Sequence, residues 1–107
     1  MDEQVLEKFE ARAQILKALA HPARLLIVDE LSKSQRCVND LTLMIGADMS
    51  TVSRHLAVLK NAGIIQNKRQ GAQVYYCLSI PCIMDFFECA EKVLESRLKK
   101  QLNVINR

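Results

Sequence analysis

ADMSTVSRHLAVLKNAGII, residues 47–65, is the stretch from which the rest of the chain can be read. Val52, Leu56 and Leu59 recur at i, i+4 and i+7, one apolar stripe of an α-helix. At about 100° per residue, Ser50, Arg54, Ala57 and Asn61 fall on the opposite side, flanked by Thr51 and Ser53. Small hydroxyls, one Arg and an Ala make a face that can enter a groove closely and carry hydrogen-bond donors. A face serving only solubility would be richer in Glu and Lys. Asp48 or Ser50 can cap the start, and Gly63 after Asn61-Ala62 is a C-terminal stop. An ordinary amphipathic helix shows the same stripe, so the neighbouring segments decide between the two readings.

The chain has 107 residues, half of them hydrophobic and a quarter charged, which suits one folded domain. The net charge is only +3, but it is unevenly placed. From Met49 to Met84 there is no Asp or Glu, while Arg54, Lys60, Lys68 and Arg69 give that window +4 and leave the remainder at −1. A basic middle between near-neutral flanks suits phosphate contact. The N-terminus is charged from residue 2 and lacks the apolar run of a signal peptide. No stretch is apolar enough to span a bilayer, so a cytoplasmic protein without a membrane partner is expected. There, thiols stay reduced, and Cys37, Cys77, Cys82 and Cys89 are buried residues, metal ligands or redox-reactive groups.

In chain order, residues 3–19 read as a helix with a wide apolar stripe through Val5, Phe9 and Leu16. His21-Pro22 breaks it, and Pro22 suits the first turn of a second helix reaching Leu31. Residues 32–36 read as a polar connector and residues 37–45 as a third helix stopped by Gly46. Only Ala47, Asp48 and Met49 separate it from the next, about 50–62, which makes a helix-turn-helix. Residues 64–78 have strand composition interrupted by QNKRQGA, so a β-hairpin wing follows, with Lys68 and Arg69 at its tip and Gly71 in its turn. A last helix spans about 80–103 and keeps an apolar stripe to its end. At roughly 36 Å it is longer than a domain of this size can cover. The expected fold is mainly α with a small β-hairpin wing: one winged helix-turn-helix domain over residues 1–107. The terminal helices join it into a homodimer that presents two recognition helices to two half-sites.

The runs LKALAHPARLLIVDEL, CVNDLT, STVSRHLAVLKNAGII and VYYCL resemble the ArsR/SmtB family of bacterial winged-helix repressors over roughly residues 12–95. The resemblance implies a homodimer that binds an imperfect inverted repeat in double-stranded operator DNA. It implies release on binding a metal, a metalloid or a reactive sulfur species. Carried over by position, Ser50, Ser53 and Arg54 lie where the family's recognition helix meets DNA, and Lys68 and Arg69 lie on its wing. Thr51 joins them on helical geometry. His55 lies to the apolar side and reads as a scaffold residue; His21 reads as a helix-start residue. The family's zinc site uses Asp and His along the last helix, where Ile80, Cys82 and Val93 stand here. Its thiolate site uses Cys-Val-Cys in the third helix, where this chain has Cys37-Val38-Asn39.

The last helix carries two further thiols in PCIMDFFEC. Cys37, Cys82 and Cys89 are therefore the candidate soft site, within or between protomers. Thiolates select soft ions, and trivalent arsenic or antimony fits three sulfurs without His. Geometry limits the site: Cys82 and Cys89 share a helix face but stand about 10 Å apart along its axis. Cys37 and Cys82 begin elements, where thiols can be exposed and activated; Cys77, inside a strand, reads as a buried residue. The leading expectation is a repressor released by arsenite or antimonite. The alternative is the same module released by thiol oxidation or persulfidation. A third reading is a winged-helix protein–protein module that does not bind DNA. No nucleophile–base pair, phosphate loop or carboxylate pair supports an enzyme.

Overall fold

The computed structural model describes residues 1–106. Helix α1, Glu3–Leu19, begins at Asp2, whose carboxylate accepts the Val5 N–H at 2.9 Å. Helix α2, Pro22–Lys33, begins at His21, whose Nδ1 accepts the Ala23 N–H at 3.0 Å. Pro22, with no N–H to satisfy, sits in the first turn as its fixed φ favours. A two-residue strand β1, Arg36–Cys37, leads directly into α3, Val38–Ile45, and then α4, Met49–Asn61. The hairpin strands are β2, Ile65–Gln70, and β3, Gln73–Leu78; α5 is Ile83–Ile105.

The three strands form one antiparallel sheet in the order β1-β3-β2, with Cys37 opposite Tyr75 and Lys68 also registered on Tyr75. Strand β1 corrects the sequence reading in two ways. The segment taken as a polar connector is partly the end of α2 and partly strand. The third helix begins at Val38, one residue after Cys37. Two residues are too short to show any periodicity, so the pairing with β3 is visible only in three dimensions. Gly71, the first of the two hairpin-loop residues, has φ +65°, where a type II′ turn takes glycine.

The core is one cluster. Ala18 and Leu19 of α1, Ile27, Val28 and Leu31 of α2, Leu41 of α3, Val52, Leu56 and Leu59 of α4, and Ile64 and Ile65 at the entry to β2 are all buried. Buried residues of α1, α2 and α3 therefore back α4, although the α1 stripe through Val5, Phe9 and Leu16 stays exposed. At roughly 1.5–3 kcal/mol for each fully buried Leu, Ile or Val, this packing fixes the recognition helix on the body.

Helix α5 is different. Its first turn is preceded by three i→i+3 bonds: Ile83 N–H to Ile80 O, Met84 N–H to Pro81 O and Asp85 N–H to Cys82 O. The helix thus starts at Ile83 rather than at Ile80, because Pro81 cannot donate and the preceding turn is tighter than α. Ile83, Met84 and Phe87 pack on the core, yet no residue of α5 is buried. Phe86, Val93, Leu94, Leu98 and Leu102 stay exposed, as do Phe9 and Leu16 on α1 and Leu25 and Leu26 on α2. The consequence is measurable in the whole molecule. A compact monomer of 12.1 kDa exposes about 6,000 Å²; this chain exposes 7859 Å². Its radius of gyration is 17.4 Å, against about 13 Å for a compact domain of this length.

Candidate nucleic-acid interface

Helix α4 separates its two sides cleanly. Val52, Leu56 and Leu59 are at most 1% exposed, while Ser50, Ser53, Arg54 and Ala57 face solvent and Thr51 is half-buried. Asp48 is the cap: its Oδ1 accepts the Thr51 N–H at 2.7 Å and the Ser50 hydroxyl at 3.1 Å. The helix therefore begins at Met49, one residue earlier than the sequence suggested. The Thr51 hydroxyl and N–H, then the Ser50 hydroxyl, hold the Asp48 carboxyl below its usual range, with Arg54 adding a smaller pull. This has a chemical consequence. The Ser50 hydroxyl thus has an acceptor within the cap, Asp48, that competes with any acceptor on a ligand. Ser53 and Arg54 are then the free donors of this face.

Lys68 and Arg69 are exposed, but they lie within β2 rather than in the loop at the tip, opposite Tyr75 and Val74. Successive strand residues point to opposite faces. The two cations thus project from the two sides of the ribbon, and a duplex along one side meets only one of them.

His55 belongs to the scaffold. Its Nδ1 accepts the Arg24 Nε–H at 3.1 Å, and its ring lies 4.5 Å from that of His21. Burial, first, and then the neighbouring His21, Arg24 and Arg54 lower its pKa below 6.5, favouring the neutral ring that this bond requires. Arg24 also donates through Nη1 to the Ala18 carbonyl at 3.5 Å. It ties the end of α1, the start of α2 and the flank of α4 together. The sequence reading passed over Arg24. The available signal was His21 and Arg24 at i, i+3 on one helix face, but their partner lies 31 residues from Arg24.

The cysteines do not converge. Cys37 is 8% exposed, and its N–H donates to Asp40 Oδ2 at 3.4 Å. This corrects the expectation of an exposed thiol at the start of a helix: strand pairing with Tyr75 draws it inward. Cys77 is half-buried, and Cys82 and Cys89 are exposed and free. Among the described residues, no three His, Cys, Asp or Glu side chains are grouped closely enough to hold a metal ion. Cys37, Cys82 and Cys89 of a single protomer therefore do not form the three-sulfur site. Among the described residues, no helix is long and apolar enough to cross a membrane.

A short-turn helix pair followed by an antiparallel ribbon defines a winged helix-turn-helix. Residues 21–67 match the sequence model of the bacterial regulatory protein arsR family. The crystal structure of Mycobacterium tuberculosis Rv0081 is 33% identical, with a TM-score of 0.77 over 88% of this chain and 95% of that one. The chain belongs to the arsR family. The HTH-type transcriptional repressor SmtB of M. tuberculosis is 41% identical over 73 residues, 68% of this chain; the match spans only 54% of that relative's length. The solution structure of a homodimeric winged helix-turn-helix DNA-binding domain, Mb0332 of Mycobacterium bovis, is 26% identical. Its TM-score is 0.79 over 94% of this chain and 93% of that one. These relatives are regulators of transcription or DNA-binding domains, and none is described as an enzyme.

Proposed function

We propose that the protein is a cytoplasmic, homodimeric transcriptional repressor that reads an inverted repeat in operator DNA through α4. The observation that carries the reading is the division of α4. One side is sealed into the core, and the other exposes Ser50, Ser53 and Arg54 in a window without acidic residues. Arg54 supplies the guanidinium fork suited to a guanine edge or a phosphate. Ser53 adds a small donor, and Lys68 or Arg69 adds a backbone contact from the wing. The apolar faces of α1 and α5 join the protomers, so the half-site spacing follows from that seam.

The effector acts at thiols. Arsenite or antimonite fits three sulfurs, which one protomer does not bring together, so the metalloid reading combines Cys37 with Cys82 or Cys89 and a third ligand from the other chain. The second reading is supported by the exposure of Cys82 and Cys89: oxidation or persulfidation of an accessible thiol needs no convergence of three.

The test begins by selecting a high-affinity duplex from a random-sequence pool. The reduced protein bound to it is then titrated, without oxygen, with arsenite and separately with a polysulfide. Release by arsenite at stoichiometric metalloid supports the first reading. Release by polysulfide alone supports the second. Failure to enrich any duplex, with binding that does not weaken with salt, would leave the protein–protein module standing.

A further inference from the structure

Beside the exposed face of α4 lies a cleft whose walls mix cationic and polar side chains with the apolar Ala57 and Val58. It has a volume of about 560 Å³ and is lined chiefly by His21 and Arg24 of α2 and by Thr51, Arg54, His55 and Asn61 of α4. An adjoining cleft of about 420 Å³ shares Arg24 and Asn61 and adds Lys17 from the last turn of α1. Neither lining contains an Asp or a Glu. The titratable or charged groups on these walls are thus Lys17 from α1, His21 and Arg24 from α2, and Arg54 and His55 from α4.

Arg24 is the distinctive member. Its Nε and Nη1 are held by His55 Nδ1 and the Ala18 carbonyl, two neutral acceptors. The ion pairs among the described residues involve Lys33 and Arg36, not Arg24. The guanidinium is therefore fixed in direction while its charge is left uncompensated. A planar cation held in place next to further cations suits an oxyanion, and a fixed donor loses little freedom when one binds. The cleft also shares Thr51 and Arg54 with the groove-facing side of α4. A duplex seated on α4 brings a strand of its backbone to this edge.

We propose that the cleft between α1, α2 and α4 seats a phosphodiester of the DNA strand flanking the recognition helix, with Arg24 as the fixed donor and Lys17 beside it. This rests on the DNA-binding reading and adds a backbone contact outside both the recognition face and the wing. The cleft sets how the helix is clamped along the groove, whatever sequence it reads.

The experiment measures affinity for a random-sequence duplex against salt, under reducing conditions. The proteins are the wild type, Arg24→Gln, Lys17→Gln and, as a wing reference, Lys68→Gln. Each phosphate contact contributes about 0.9 to the log–log slope, so a cleft variant in a dimer lowers it by about 1.8. Thermal unfolding is followed in parallel. If Arg24→Gln loosens the fold by breaking the His55 bond, Lys17→Gln still decides, since Lys17 is exposed and makes no ion pair among the described residues.

An unchanged slope in both cleft variants, on a wild type whose affinity falls with salt, overturns the cleft and leaves the DNA reading intact, whichever of Lys68 and Arg69 the wing presents to the duplex. A wild type that binds no duplex overturns both. Inorganic phosphate is titrated in a further arm. Phosphate shifts of the His21 and His55 ring resonances, with slopes unaffected by Arg24→Gln and Lys17→Gln, would reassign the cleft to a free anion.

Discussion

Leu98→Glu should convert the protein from a dimer to a monomer without unfolding it. The wild-type protomer exposes about 1,800 Å² more than a compact chain of its mass. If both protomers cover that excess, the interface totals about 3,600 Å², within the range of permanent dimers. Leu98 lies in the exposed stripe of α5 and is 57% exposed in the protomer. Covering that remainder contributes about 1 kcal/mol per protomer, hence about 2 kcal/mol per dimer. A glutamate loses this and places a carboxylate against an apolar seam on each side, raising the total to about 4 kcal/mol or more. That is about a thousandfold in the dimer dissociation constant. Sedimentation velocity at micromolar concentration reads the result against the 12.1 kDa protomer mass. Circular dichroism checks that the helices remain. A wild type that sediments as a monomer would refute the surface argument, and a Leu98→Glu variant that stays dimeric would show that α5 is not the seam.

Leu56→Ala should cost about 2–5 kcal/mol in denaturant unfolding, because Leu56 is 1% exposed at the centre of the cluster behind α4; a loss below 1 kcal/mol would mean the cluster collapses around the gap. Arg54→Ala should weaken binding to a selected duplex and relax its sequence preference, and unchanged selection would remove Arg54 from the groove face. Asp48 has a lowered pKa in the fold, so its stabilisation is present above its unfolded value near 3.8 and is lost as pH falls through the lower folded value. Asp48→Ala should flatten that acid limb in a pH series of thermal melts. The same sign holds for His55: the fold favours the neutral ring, so stability declines as pH falls below 6.5. His55→Gln should remove that decline, and a decline of equal size in the variant would place its origin elsewhere.

The helices and the wing were legible because each carries a period or a punctuation mark: the stripe of α4, Pro22, Gly46, Gly71. The apolar stripe of α5 was legible in the same way; most of it stays exposed in the protomer, which is the ground for the proposed partner. What was missed is long-range. Strand β1 is two residues whose only definition is Tyr75 and Tyr76 across the sheet. Its pairing buries Cys37, which a reading of the helix start alone left exposed. The link from Arg24 to His55 joins two helices through groups whose types were visible but whose meeting was not. The acidic cap was foreseen as one of two candidates. Its effect on the Ser50 proton depends on a distance, and no sequence pattern contains that.

Strand β1 also bears on how a signal could travel. Arg36 and Cys37 are paired to β3 on one side and run without a break into α3 on the other. The wing is therefore not a free arm: to swing, it must drag the first helix of the reading pair with it. Wing and recognition helix behave as one jaw per protomer. In the proposed dimer, the degree of freedom left to an effector is the angle between two jaws, set where the apolar faces of α1 and α5 meet; Cys82, just before α5, and Cys89, on it, are both exposed. An effector that only loosened the ribbon would leave each half-site read as before.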